Sequence, residues 1–129
     1  MMQNNRPTIF VVDDEPLLSE MLTDYLKEKD PLFNIQSFPT GETCLAQLDQ
    51  SPDAVILDYY LNSKEKEAAN GIDILKEIKK RNKALPVIML SSQKSYSTAT
   101  QTIMYGAVHY VTKGQDAFEE IYQLIKANV

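Results

Sequence analysis

The sequence predicts an open α/β fold in which five parallel strands alternate with five helices. Three segments of four or five residues are almost wholly apolar and rich in β-branched side chains, which is typical of strands covered on both faces. Between these segments, apolar residues repeat at helical spacing, as expected of helices that cross from one parallel strand to the next. The 129-residue length suits one domain with an ordinary hydrophobic core.

The predicted elements follow one another along nearly the whole chain. The predicted strands are Thr8–Val12, Phe33–Ser37, Ala54–Leu57, Pro86–Leu90 and Ala107–Thr112. The helical patterns cover Leu18–Leu26, Glu42–Asp49, Ile72–Ile78, Lys94–Tyr105 and Phe118–Ile125. We therefore expect residues 1–129 to form one domain, with an ordered core over about residues 8–128.

Three stretches depart from the simple pattern. Phe33–Ser37 alternates apolar and polar residues, which favours a more exposed strand. Lys94–Tyr105 contains many hydroxyl and β-branched residues, so its helix has a thin apolar face for packing. Asn62–Asn70 is polar and charged, and it predicts a loop or one frayed helical turn.

Composition and charge exclude several classes of protein. No apolar run approaches the length of a membrane span, and the polar N-terminal residues lack the apolar centre of a secretory signal. Cys44 is the only cysteine, which fits a reducing cytoplasm. The net charge of -5 gives no overall attraction to nucleic acid. No glycine-rich phosphate loop follows the first strand, which argues against a dinucleotide enzyme or an NTPase.

Polar groups follow every predicted strand except the second. Asp13 and Asp14 follow the first strand, Asp58 the third, Ser91 the fourth and Lys113 the fifth. Each has a simple local explanation, as a helix start, a turn residue, a helix cap or a solvated charge. In a parallel sheet, however, these strand ends meet at one edge, where ligands of such folds bind. The local explanations do not account for the whole set.

Three carboxylates at one edge require compensating positive charge. A site made only of oxygen ligands suits Mg²⁺ better than zinc, which prefers histidine or cysteine. The formal charges of Asp13, Asp14 and Asp58 are then cancelled by one Mg²⁺ and Lys113. A carboxylate in this setting can attack a phosphoryl group in line, and Asp58 is the best-placed nucleophile.

Five segments occur in the order typical of one known family, namely Val12–Glu15, Leu57–Asp58, Val87–Ser92, Gly106–Ala107 and Tyr110–Lys113. In these segments the chain resembles the receiver domain of two-component response regulators. The resemblance extends over essentially Thr8–Asn128. It implies a flavodoxin-like fold, that is, a doubly wound five-stranded parallel sheet of order 2-1-3-4-5.

The resemblance also implies a role for each residue of the set. Asp58 would be the phosphoacceptor and a ligand of Mg²⁺. Asp14 would bind the metal directly, Asp13 largely through water, and Tyr60 through its backbone carbonyl. Lys113 would pair with the phosphoryl group. Two switch residues complete the assignment, namely Ser91, whose hydroxyl would bind the phosphoryl group, and Tyr110, whose ring would change rotamer.

The resemblance further implies the kinds of partner. The phosphoryl donor would be a sensor histidine kinase or a phosphotransfer protein, and the recipient a downstream effector protein or a fused output domain. The output surface would consist of the fourth helix, fifth strand and fifth helix, through which a homodimer could also form. No direct contact with nucleic acid or a membrane is expected of this domain, and a cytoplasmic location is expected.

Two positions depart from the family pattern. Leu61 is followed by Asn62 and a charged insertion before Gly71, where the family usually has an apolar residue and a proline. The insertion could alter partner choice or phosphoryl lifetime, although a neutral change of loop length explains it as well. Gly114 follows Lys113 where the family has proline, so the usual cis peptide there loses its basis.

Two competing functions remain at the level of sequence. One is a phosphatase of the haloacid dehalogenase type, but such enzymes need a second acid two positions after the nucleophile, and Tyr60 stands there. The other is a degenerate receiver that acts only as a scaffold for partner proteins. The complete acid, serine and lysine set argues against it.

His109 and a basic cluster have simpler explanations. His109 is the only histidine, and we interpret it as an ordinary residue of the fifth strand. The basic residues of the cluster are Lys76, Lys79, Lys80, Arg81 and Lys83. They lie near a predicted helix C-terminus, where positive charge is favourable, so docking is the minority interpretation.

Overall fold

A five-stranded parallel sheet organises the computed structural model, which describes residues 6–61 and 70–129. The strands are β1 (Thr8–Val12), β2 (Asn34–Phe38), β3 (Ala54–Asp58), β4 (Val87–Ser91) and β5 (His109–Thr112). The helices are α1 (Pro16–Lys29), α2 (Gly41–Ala46), α3 (Gly71–Arg81), α4 (Tyr96–Met104) and α5 (Ala117–Asn128), with a short 3₁₀ turn at Leu48–Gln50. The predicted alternation of five strands and five helices is confirmed.

The sheet has the strand order β2-β1-β3-β4-β5, and every pair of neighbours is parallel. The register brings the carboxyl ends of the central strands level with one another. Val12 of β1 lies opposite Leu57, and Asp58 of β3 lies opposite Leu90. Because the winding direction reverses beside β1, a crevice opens at this edge between β1 and β3.

The core has two layers, one on each face of the sheet. Alternate residues of each central strand point to opposite faces, so Phe10 and Val12 pack in one cluster and Ile9 and Val11 in the other. Helices α2 and α3 cover the first cluster, and α1 and α5 cover the second. Burial on both faces explains why these strands are almost continuously apolar.

Helix α4 differs from the others in how little apolar surface it buries. Thr102 is its one buried residue, whereas α3 buries a stripe that includes Leu75 and Ile78, and α5 buries Ile121 and Ile125. The thin packing face predicted for this helix is confirmed. Among residues 6–61 and 70–129, no helix combines the length and apolar character needed to span a membrane.

The ends of several elements differ from the predicted ones by one to three residues. Strand β5 begins at His109 instead of Ala107, because the backbone is still bent at Val108. The turn that precedes this bend contains Gly106, whose φ is 107°. A left-handed backbone of this kind favours glycine. Helix α2 ends at Ala46 instead of Asp49, since the chain tightens into the 3₁₀ turn. The predicted Asn62–Asn70 connection lies outside the described residues except for Asn70.

The start of α3 is packed directly against the end of β3. Asn70 caps the helix, its side-chain oxygen accepting a hydrogen bond of 3.1 Å from the amide of Asp73. The amide of Gly71 donates to the carbonyl of Tyr59 at 2.9 Å. A Cβ at Gly71 would lie 2.6 Å from the carbonyl oxygen of Asp58. Only glycine allows this approach, which fixes the backbone of Asp58.

We predict that Gly71→Ala lowers the free energy of unfolding by about 1–3 kcal/mol, because the new methyl group collides with backbone atoms of β3 that cannot move aside. Urea denaturation measures the change. Gly114→Ala is the matched control, since its Cβ would meet nothing closer than 4.0 Å and should change stability by less than about 0.5 kcal/mol. Equal effects of the two substitutions would contradict this interpretation of the α3 start.

Candidate functional site

The hydrogen-bond ladder of the sheet continues past the strand ends and holds the backbone of the candidate site. The amide of Asp13 donates to the carbonyl of Phe38 at 3.0 Å. The amide of Tyr59 donates to Leu90 at 2.9 Å, and that of Lys113 donates to Ser91 at 2.7 Å. The residues that flank the crevice are therefore placed by sheet geometry, although they lie in loops.

Three carboxylates meet in the crevice. Asp13, Asp14 and Asp58 each offer one oxygen, and these oxygens lie within 4.8 Å of one another. All three residues are buried, with exposed fractions of 5%, 8% and 3%. Asp13 also accepts a hydrogen bond of 2.8 Å from the amide of Glu15 through Oδ1, which orients its carboxylate. Acids are rarely buried so completely unless positive charge or a metal compensates them.

Lys113 supplies part of that compensation. Its Nζ lies 3.3 Å from Oδ1 of Asp58, and its side chain is 24% exposed. The pKa of Asp58 is nevertheless raised to about 7. Burial is the main cause and the charge of Asp13 the second, and together they outweigh the opposite effect of Lys113. Burial likewise raises the pKa of Asp13. One ammonium group does not balance three carboxylates in this crevice.

The donor set fits a magnesium ion. Mg²⁺ binds oxygen ligands at about 2.0–2.1 Å, so opposite ligands stand about 4.2 Å apart, close to the spread of the three carboxylate oxygens. Oδ1 of Asp58 is sealed from solvent and accepts no well-aligned hydrogen bond from residues 6–61 or 70–129. No nitrogen or sulfur ligand belongs to the cluster. The role assigned to the carbonyl of Tyr60 stays a prediction.

Ser91 and Tyr110 are linked through the backbone of one residue. Ser91 is completely buried, and its Oγ accepts a hydrogen bond of 3.1 Å from the amide of Gln93. The hydroxyl of Tyr110 donates to the carbonyl of Gln93 at 2.8 Å. Gln93 is thus held on both sides, and it joins the end of β4 to β5 across the loop that precedes α4.

Sequence reasoning missed Gln93. It contributes its backbone amide and carbonyl, which every residue except proline possesses, so no side-chain pattern could have identified it. Its position two residues after Ser91 is the single available signal, and that signal becomes meaningful only when the loop geometry is known.

The other residues singled out from sequence lie outside the crevice. His109 is an exposed residue of β5, and its Nε2 lies 3.2 Å from Oε2 of Glu120. Within the basic cluster, Nζ of Lys79 donates to the carbonyl of Leu85 at 2.6 Å and fixes the turn after α3. No peptide bond among the described residues is cis, so the bond between Lys113 and Gly114 is trans.

Comparisons with known proteins agree on one family. The model of the response regulator receiver domain matches residues 9–126. The probable transcriptional regulatory protein TcrX of Mycobacterium tuberculosis is 31% identical over 118 residues, which are 91% of this chain and 47% of that protein. A protein-glutamate methylesterase/protein-glutamine glutaminase of Trichodesmium erythraeum is 32% identical over 108 residues, covering 81% of this chain and 29% of that protein.

Solved structures agree with the sequence matches. The response regulator TrrA of Thermotoga maritima, solved in complex with Mg²⁺ and BeF, superposes with a TM-score of 0.80 at 28% identity. The match covers 95% of this chain and 99% of that one. In contrast, the chain spans less than half of the length of either curated relative.

The raised pKa of Asp58 predicts how stability depends on pH in the metal-free protein. A carboxyl group whose pKa is higher in the folded state stabilises the fold below about pH 4, and this contribution is lost as pH rises through about 7. An asparagine side chain does not titrate, so in EDTA the Asp58→Asn variant should lose less stability than wild type between pH 5 and pH 8.

Urea denaturation of both proteins at the two pH values measures this difference. Between pH 5 and pH 8, we expect the free energy of unfolding of wild type to fall by at least about 1.4 kcal/mol more than that of Asp58→Asn. This difference is the equivalent of one pKa unit. Parallel pH dependences of the two proteins would contradict the electrostatic account of the crevice.

Proposed function

The chain belongs to the response regulator receiver domain family of two-component systems, and from this membership we propose that it accepts a phosphoryl group on Asp58 and thereby changes the surface it offers to partner proteins. One observation carries the proposal. Three buried carboxylates converge within 4.8 Å, with the ammonium of Lys113 3.3 Å from one of them. Receivers are signalling regulators, so the covalent step serves control instead of turnover.

The proposed reaction is an in-line displacement at phosphorus. A carboxylate oxygen of Asp58 forms the new O–P bond while the P–N bond of a phosphohistidine in the donor protein breaks. The electron pair of that bond stays on the imidazole nitrogen, and the donor imidazole leaves neutral because its other nitrogen already carries a proton. Asp58 must react as the carboxylate, which Lys113 favours by its positive charge.

The acids of the crevice would hold Mg²⁺. Asp14 and Asp58 would bind through their carboxylates and Asp13 largely through water, and Tyr60 would add its backbone carbonyl. When bound, the ion would reduce the repulsion among the carboxylates and stabilise negative charge on the phosphoryl oxygens. The short ladder bonds at the strand ends support this assignment, since they keep the acids in place before the donor arrives.

Lys113 and Ser91 would bind the transferred group. The ammonium of Lys113 lies beside Asp58 and would pair with a phosphoryl oxygen. The hydroxyl of Ser91 accepts a bond from Gln93 through its oxygen, so its own proton remains available for donation to the phosphoryl group. Such a bond would draw on the loop that contains Gln93, and Tyr110 would follow because it holds the same residue.

The phosphoryl signal would be read on the surface made by α4, β5 and α5. Phosphorylation adds about -1.5 to -2 charge and strong acceptors, and it favours whichever loop arrangement donates to them. Tyr96 and Met104 of α4 are 95% and 79% exposed, which provides apolar contact area for a partner. That partner would be a downstream effector protein, a fused output domain or, in a homodimer, a second copy of the chain.

The donor would be a sensor histidine kinase or a phosphotransfer protein. A cavity of about 370 Å³ lies beside Asp13 and is lined in part by Pro16, Glu20 and Phe38. Its volume could take a few side chains of such a partner. The two curated relatives differ in the rest of their length, one being a transcriptional regulatory protein and the other a methylesterase. The output of the whole protein is therefore a separate question from the chemistry of this domain.

We predict that the wild-type chain gains the mass of one phosphoryl group when it is incubated with acetyl phosphate and Mg²⁺. Removal of the metal with EDTA should reduce the gain at least tenfold, because the acids then lose the cation that keeps them ionised and stabilises the transferring group. Mass spectrometry of the intact protein measures the product, and its loss in hydroxylamine identifies an acyl phosphate.

Asp58→Asn should abolish the gain, whereas Asp49→Asn is the matched control. Asp49 is an exposed carboxylate in the 3₁₀ turn, outside the acid cluster, and its substitution should leave the yield unchanged. A gain that survives Asp58→Asn would contradict the assignment of the acceptor. No gain in wild type would instead favour the scaffold function.

A further inference from the structure

Helix α4 buries a polar residue where helices usually bury apolar ones. Thr102 is the one residue of this helix that is completely buried, and its Oγ1 has no hydrogen-bond partner among the described residues. Tyr96 and Met104, which are large and mostly apolar, are instead 95% and 79% exposed. A buried hydroxyl without a partner keeps its desolvation penalty uncompensated, which weakens the packing of the element that carries it.

The two ends of α4 are attached in different ways. At its C-terminal end, Nζ of Lys76 on α3 lies 4.3 Å from the ring centre of Tyr105, the C-cap residue, and the chain then turns at Gly106. At its N-terminal end, the loop is held by hydrogen bonds at Gln93, and Ser95 caps the helix with one bond of 3.3 Å. The N-terminal end is thus the one connected to Ser91.

We propose that Thr102 is a positioning residue of the switch, whose buried hydroxyl keeps α4 loosely packed so that this helix yields when a phosphoryl group on Asp58 draws the Ser91 loop toward it. The inference rests on the proposed function and extends it to a residue outside the crevice. The free energy that holds α4 in place opposes the rearrangement, so it subtracts directly from the free energy with which a phosphoryl group is bound.

Thr102→Val tests the proposal, because valine has nearly the shape of threonine and a similar helix propensity but no hydroxyl. Thr100→Val is the matched control, since Thr100 is an exposed residue of the same helix. Hydrogen exchange of the α4 amides is measured first, by mass spectrometry on the full chain without a phosphodonor. We expect exchange to slow about tenfold in Thr102→Val and to stay within about twofold of wild type in Thr100→Val.

The second measurement is the affinity for a phosphoryl mimic, beryllofluoride, in the presence of Mg²⁺. We expect the Kd of Thr102→Val to rise about tenfold and that of Thr100→Val to remain within about twofold of wild type. If Thr102 had only a structural role, Thr102→Val would slow hydrogen exchange throughout the domain and leave the Kd for beryllofluoride unchanged. That result would overturn the proposal. Unchanged exchange of the α4 amides would overturn it as well.

The two measurements separate this proposal from the proposed function. A wild-type chain that binds no beryllofluoride and gains no phosphoryl mass would contradict phosphoacceptance at Asp58. The exchange measurement without a phosphodonor would still decide whether Thr102 loosens α4. Slower exchange of the α4 amides in Thr102→Val would support this role of Thr102, and unchanged exchange would reject it.

Discussion

The structure depends on one electrostatic constraint, the burial of three carboxylates beside a single ammonium group. Asp13, Asp14 and Asp58 are held together by the ends of β1 and β3, and Lys113 reaches them from the end of β5. Mutual repulsion and loss of hydration oppose this arrangement, so it is relieved either by a proton on Asp58, whose pKa is raised to about 7, or by further positive charge. The same property that makes the crevice costly would, under the proposed function, make it receptive to a divalent cation and then to a phosphoryl group.

Much of the fold could be predicted because the strands are buried on both faces. Continuous apolar runs such as Ala54–Leu57 leave little alternative to a parallel sheet, and the polar residues that follow them must then share one edge. Element ends were less predictable, since they depend on local backbone geometry. The start of β5, for example, is delayed by a bend at Val108, an apolar residue that the sequence pattern assigns to the strand.

The candidate site also has a part that the sequence could predict and a part that it could not. Its charged members could be predicted, because acids and a lysine directly after apolar strands are conspicuous in a sequence. The link between Ser91 and Tyr110 could not, because it passes through the backbone of Gln93. The unpartnered hydroxyl of Thr102 was equally hidden, since threonine in a helix indicates neither burial nor the absence of a hydrogen-bond partner among the described residues. Buried acids in the crevice and little buried surface on α4 thus occur in one domain, and this difference suits the proposed switch.

The coupling of the three acids can be measured by titrating the Asp58 carboxyl group itself, followed by carbon-13 NMR of the side chain with and without Mg²⁺. We expect a pKa of about 7 in EDTA, raised by burial and by Asp13, and a clear decrease when Mg²⁺ is added. An ordinary aspartate pKa in EDTA, unchanged by the metal, would show that the three acids do not constrain one another.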